Sequence, residues 1–181
     1  MLERLPLAAV IALSFMTLRA AAAPQSPLGL QDLLSIGVVA TTPPTLRWGA
    51  TRRQIQRRYP EVAEHPAFIG FRLQGRVSEQ GCTYNVYLSG GRKADQLTQL
   101  WIVHRAGPLT KCKRQLESAL AALYGRPSTN NVPATANSGP ATLWSWQSAT
   151  TCVNLRWEEQ GIEHGVSPLT ASLGDLHGGC D

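Results

Sequence analysis

The stretch TKCKRQLESALAALYGRP, Thr110–Pro127, constrains this chain more than any other. Cys112, Leu116, Ala119, Leu120 and Leu123 fall on one stripe of a 3.6-residue period, so they predict an amphipathic helix with a cysteine on its buried face. Thr110 is the expected N-cap, and Tyr124-Gly125-Arg126-Pro127 is a stop signal, because Gly accepts a left-handed cap and Pro cannot continue a helix. Lys111, Lys113 and Arg114 crowd the positive end of the helix dipole. They are either solvated and screened, or they hold an anion. A helix pinned by a buried cysteine needs a sheet to lie on, and a covalent partner in an oxidising compartment.

The N-terminus supplies the compartment. Leu5–Leu18 is an apolar run with Arg4 before it and the small residues Ala20–Ala23 after it. It is shorter than the roughly 20 residues that span a bilayer. Residues 1–22 therefore read as a signal peptide, removed after Ala22, with residues 23–181 as a mature single domain located in the periplasm or secreted. Cys82, Cys112, Cys152 and Cys180 all lie in the mature part, an even number that argues for two disulfides. None of them forms the close pair that a zinc site uses. The expected pairing is Cys112–Cys152 with Cys82–Cys180. The alternative is Cys82–Cys112 with Cys152–Cys180.

The rest of the chain is built of short elements. Ala23–Pro44 is a lead-in with a short helix at Gln31–Leu34 or a strand at Ile36–Thr41. Thr51 and Gln54 form a capping box that opens a helix from Arg52 to Arg58, with Ile55 and Tyr59 buried and Arg53 and Arg57 on the opposite face. Strands follow at Ala67–Leu73, Cys82–Leu88 and Gln96–His104, with turns at Gly75 and at Ser89–Lys93. In Cys82–Leu88, Tyr87 lies opposite the core-facing set. In Gln96–His104, Leu100 and Ile102 share one side and Trp101 and Val103 the other. Trp101, Trp144, Trp146 and Trp157 are expected in core or sheet-covering roles. Arg126–Ala141 reads as a long loop, Thr142–Ser148 and Thr151–Glu158 as a hairpin, and Val166–Leu173 as an edge strand. The class is α+β: an antiparallel meander sheet with two helices on one face, disulfide-stapled. It divides into a helix-plus-meander unit at residues 45–108, a second at 109–173 and a tail at 174–181.

Gly49-Ala50-Thr51-Arg52-Arg53-Gln54-Ile55 resembles the helix start of the small outer-membrane-assembly lipoproteins of the BamE type, and the doubled order is similar to the tandem repeats of secreted β-lactamase-inhibitory proteins. Leu120–Pro127 followed by Trp144 resembles a second such unit. The chain lacks the lipidated cysteine of the assembly lipoproteins. The resemblance implies a scaffold that binds proteins on its sheet or loops and carries no catalytic residues.

The residues point the same way. No nucleophile elbow, zinc-protease helix, phosphate loop or dinucleotide fingerprint is present. Glu158, Glu159, Glu163 and His164 cluster at a turn, and Asp175, His177 and Cys180 have ligand spacing only if Cys180 is reduced. No catalytic residue, cofactor or metal is expected. The partner is expected to be another protein, with Arg53, Arg57, Trp144 and Trp146 as interface candidates. A net charge of +5, lowered by one when Glu3, Arg4 and Arg19 leave, is too small for a nucleic-acid signature and fits weak attraction to an anionic envelope surface. The expected role is an inhibitor, an immunity factor or an envelope-assembly accessory. The alternative is an envelope hydrolase or carbohydrate-acting enzyme. Mass spectrometry of the exported protein will find a chain beginning at Ala23; an intact Met1 on exported protein would refute the signal-peptide reading.

Overall fold

The computed structural model describes residues 27–38, 46–67, 70–90, 95–134, 139–158 and 167–176. The expected signal peptide, Cys180, and the Glu159, Glu163, His164 and His177 candidates lie outside them. Three helices and eight strands are described. The helices are α1 (Leu30–Leu34), α2 (Arg52–Arg58) and α3 (Leu109–Tyr124). The strands are β1 (Ala63–Glu64), β2 (Phe71–Glu79), β3 (Cys82–Gly90), β4 (Leu97–Ala106), β5 (Ser128–Val132), β6 (Ala141–Gln147), β7 (Thr151–Glu158) and β8 (Leu169–Asp175). They form one antiparallel sheet in the order β1-β2-β3-β4-β8-β7-β6-β5. The protein is thus largely sheet, with a few helices on it.

Helix α2 starts as its capping box dictates. The Gln54 N–H donates to Thr51 Oγ1 at 3.3 Å, and the Thr51 N–H donates back to Gln54 Oε1 at 2.8 Å. Helix α3 starts two residues earlier than a Thr110 cap would set it. Its cap is Pro108, whose carbonyl accepts from the Cys112 N–H at 3.0 Å, so Thr110 lies inside the first turn. Gly125 closes it at φ 82°, with its N–H donating to Ala121 O.

Alternation sorts the sheet residues onto two faces. Leu73, Val86, Leu88, Leu100, Ile102, Val153, Leu155, Ala171 and Leu173 share the first face and are at most 1% exposed. Leu33, Ile55, Tyr59, Leu116 and Leu120 belong to the same apolar cluster, so all three helices pack there. The lead-in is strapped down by hydrogen bonds. Tyr124 Oη lies 2.9 Å from the carbonyls of both Leu34 and Ile36 beyond α1. The Trp48 indole N–H donates to Thr151 Oγ1 at 2.7 Å, and Thr150 Oγ1 donates to Gly37 O at 3.0 Å.

Four expectations are corrected. Gly75 is not a turn: it sits inside β2, where a Cβ would press on Val62 at 3.0 Å. The turn is Gln80–Gly81, with φ 50° and 81°, the two-residue hairpin geometry joining Glu79 to its partner Cys82. Arg126–Ala141 is not all loop, because β5 lies within it as an exposed strand on β6. Its polar residues show no alternation because nearly all of them face water. Strand β8 is not an edge but the centre of the sheet, between β4 and β7; its small residues weaken its apolar pattern.

The fourth correction is the disulfide. Cys82 is bonded to Cys112, with a Cα–Cα distance of 5.6 Å, so the Cys112–Cys152 and Cys82–Cys180 pairing is wrong. Cys82 opens β3 on the core face and Cys112 lies on the buried stripe of α3, both fully buried. Cys152 alternates with Val153 on the other face, and the β6–β7 register runs from Gln147↔Cys152 without the bulge that could turn it inward. Cys152 is itself disulfide-bonded. With Cys82 and Cys112 taken, the cysteine left for it is Cys180, outside the described residues. Non-reducing peptide mapping will therefore link Cys82 to Cys112 and Cys152 to Cys180. Replacing Cys82 and Cys112 by alanine, which opens a loop of 30 residues, will lower stability to urea by about 3 kcal/mol.

Candidate binding face

The second face of the sheet is covered by none of the three described helices. The strand registers set its side chains in rows. One row runs Gln74, Tyr87, Trp101, Ser172, Asn154, Ser145 and Ser128 from β2 to β5. The next runs Arg76, Asn85, Val103, Thr170, Arg156, Leu143 and Asn130. Apart from the exposed Arg76, Ser128 and Asn130, these side chains are partly exposed, in contrast to the sealed first face.

The rows are built of aromatic rings, guanidinium groups, amides and hydroxyls, with Val103 and Leu143 as their aliphatic members. They hold no lysine. Among the described residues the face carries one acid, Glu158, which is 1% exposed and accepts from Arg156 Nε at 2.6 Å. Arg72 lies one row further out. Its Nε donates to Ser89 Oγ at 3.4 Å and its guanidinium sits 5.7 Å from the centre of the Trp101 ring. Tyr87 stands beside Trp101 on the neighbouring strand, with the His65 ring edge-on to it at 5.5 Å.

The interface candidates from the sequence are not brought together. Arg53 and Arg57 are exposed on the outward side of α2, which packs on the first face. Trp146 is 4% exposed and its indole N–H donates to Gly125 O at 2.9 Å, so it is a core residue that fixes the end of α3. Trp144 packs against the core edge with Lys113 Nζ 4.4 Å from its ring centre. Lys113 also pairs with Glu117 at 3.2 Å and faces Trp157 at 5.7 Å. One of the three cations at the start of α3 is thereby a packing element rather than an anion ligand. Lys111 and Arg114 line an open groove of about 390 Å³ with Leu30, Leu34, Gln115 and the acid Glu79.

The acid–base candidates fare similarly. Glu158 is committed to Arg156, and its neighbours in sequence lie outside the described residues. His104 Nε2 is 3.2 Å from Gly107 O at the end of β4. Among the described residues, no three His, Cys, Asp or Glu groups converge. Tyr84 is the buried titratable group with the clearest role. Burial, and then the nearby Glu79 charge, push its phenol up to about 12. It stays protonated and its hydroxyl lies 3.2 Å from Cys112 O, tying β3 to α3 beside the disulfide. Burial likewise raises the Tyr124 phenol well above its ordinary range.

Sequence reasoning set Tyr87 opposite the core, left the side of Trp101 open between core and surface, and did not join the two into a surface. The alternation marks each strand's faces, whereas the register that aligns them depends on non-local pairing. No described helix is long and apolar enough to cross a membrane. Comparison with protein-family models, curated proteins and solved structures finds no match to this chain.

The two classes of tryptophan separate in a stability measurement. Trp146→Ala will lower the free energy of unfolding in urea by about 3–5 kcal/mol, as for a large core truncation. Trp101→Ala, at a position that is partly exposed, will lower it by less, about 1–2 kcal/mol.

Proposed function

We propose that this chain is a secreted or periplasmic protein-binding module, without catalytic activity of its own, that works through the second face of its sheet. One observation carries the reading: among the described residues, that face sets Tyr87 and Trp101 with Arg72, Arg76 and Arg156, and holds no lysine and no carboxylate other than the Glu158 paired to Arg156. Aromatic residues and arginine are enriched at interface centres, where lysine, aspartate and glutamate are depleted.

Its size supports the same conclusion. Eight strands at about 4.8 Å spacing, averaging about 24 Å in length although β1 and β5 are shorter, give a face of roughly 800 Å². A partner in a standard interface buries about that area. The face is also presented on a rigid support, with side chains that lose little freedom on binding.

In this proposal the scaffold is a doubled helix-then-meander unit. Helix α2 precedes β1–β4, helix α3 precedes β5–β8, and the last strand of each meander pairs with the other at the centre. Such a doubling widens one flat surface without creating a cleft. An inhibitor, an immunity factor or an envelope-assembly accessory uses a surface of this kind. The disulfides and the apolar N-terminal run support export.

The test places a photo-crosslinking residue at Ser172, at the centre of the second face, and at Arg53 on the helix side. Crosslinking in the source cell's envelope and culture medium will give a discrete protein adduct from position 172 and none from position 53. Adducts from position 53 alone would reject the face. Turnover in a hydrolase and glycosidase panel that is lost in Glu158→Gln would reject the non-enzymatic reading.

A further inference from the structure

We infer that the partner presents an acidic segment to the second face, with a carboxylate beside an apolar side chain, and that the Arg72–Trp101–Tyr87 corner is its anchor. This rests on the protein-binding reading above and names the kind of partner.

The corner is assembled before anything binds. Arg72 uses Nε on Ser89, and its guanidinium lies over the Trp101 ring. Holding one edge in this way leaves the two terminal nitrogens to fork onto a planar anion. A stacked guanidinium with one edge tied down loses less freedom on binding than a loose lysine would, and its fork matches a carboxylate. The Trp101 and Tyr87 rings lie side by side on β4 and β3 and offer apolar area next to that fork. A carboxylate and an apolar side chain close together on the partner satisfy both.

Charge decides the sign of the partner. Arg156 is neutralised by Glu158. No ion pair joins Arg72 or Arg76 to an acid among the described residues, and both lie on the same side of β2. An acidic surface removes two uncompensated cations, while a basic one adds repulsion. The same argument excludes a second copy of this chain, whose net charge is +5 and whose second face would set arginine against arginine. Nucleic acid is excluded by density: two free guanidinium groups on a face about 34 Å wide meet few of the phosphates spaced along a strand.

The experiment pans a phage library of random linear 12-residue peptides against the full disulfide-bonded chain and then measures synthetic copies of the enriched peptides by calorimetry. The enriched peptides will hold Asp or Glu next to an apolar residue. Their affinity will fall about tenfold or more in Trp101→Ala and in Arg72→Lys, which keeps the charge but not the fork. It will weaken with salt and be unchanged in Arg53→Ala. Circular dichroism of each variant checks that the fold survives, and Arg72→Lys, a surface change, keeps the test open should Trp101→Ala not fold. Neutral or basic peptides that still depend on Trp101 overturn the acidic partner while leaving the protein-binding reading intact. Acidic peptides indifferent to Trp101 and Arg72 overturn the anchor. No enriched peptide, together with binding of a neutral oligosaccharide that quenches Trp101 fluorescence, overturns the inference and the protein-binding reading together. No enriched peptide and no such sugar binding overturns the inference alone.

Discussion

Everything in this fold depends on the pairing of β4 with β8. Five residue pairs, from Gln99↔Gly174 to Val103↔Thr170, join two meanders that are far apart in sequence. Without that seam each half would be a four-stranded sheet with an additional open edge, and open edges invite wrong partners. With it, Leu100 and Ile102 meet Leu173 and Ala171 across the centre, and the two halves bury one continuous apolar cluster. The seam also aligns the second face. Trp101 stands opposite Ser172 only because this register holds. A slip of one residue would turn the core set outward on half of the sheet.

The seam is non-local, so something must hold the parts near one another. The Cys82–Cys112 bridge does this for the first half, fixing the start of α3 to the β2–β3 hairpin. Tyr84 reinforces it through Cys112 O. The lead-in does it for the second half, through Trp48 and Gly37 on the turn of the β6–β7 hairpin. Gly37 adopts φ 75° there, and a Cβ would collide with Thr151, so only glycine lets the two backbones approach. The polar groups in these contacts are partnered, as groups shielded from water must be.

What could be read from the chain follows from whether the determining contacts are local. Helix α2 and the end of α3 were legible because caps and stops are written within four residues, as at Thr51–Gln54 and Gly125. The alternation in Cys82–Leu88 and in the Trp144–Trp157 hairpin was legible because one face of each is apolar. Strand β5 was not, since a five-residue edge exposed to water has no apolar period to show. Strand β8 was misplaced because its pattern relies on Ala171 and Gly174 as much as on leucine. The disulfide was missed for a related reason. Cys152 was assigned to α3 by its place in the following hairpin, against the alternation that set it on the opposite face, and the alternation was the better guide. As for the candidate site, Tyr87 was marked as facing away from the core, but Trp101 was expected to cover the sheet or join the core like Trp144 and Trp146, from which it looks no different in sequence. The Trp146 indole finds its carbonyl at Gly125 only once α3 and β6 are docked.

That division separates what folds this protein from what it presents. The first face is sealed by leucine, valine and isoleucine, and its few polar atoms are occupied in holding helices. The second face contributes little to that core, so its residues are not constrained by packing. A surface free of packing demands and left to water commonly carries lysine and glutamate, which are the cheapest residues to solvate. Here the rows instead carry Trp101, Tyr87 and arginine with amides and hydroxyls. A tryptophan left partly open on the outer side of a sheet exposes apolar area to water. Stability therefore does not explain this composition, whereas contact with a second molecule does. The Arg72 guanidinium, held by Ser89 and over Trp101, shows that the surface is ordered as well as unusual in composition. Order set up in the free protein lowers the entropy lost on binding. The sheet's regularity is thus what turns a set of solvent-facing side chains into a recognition surface.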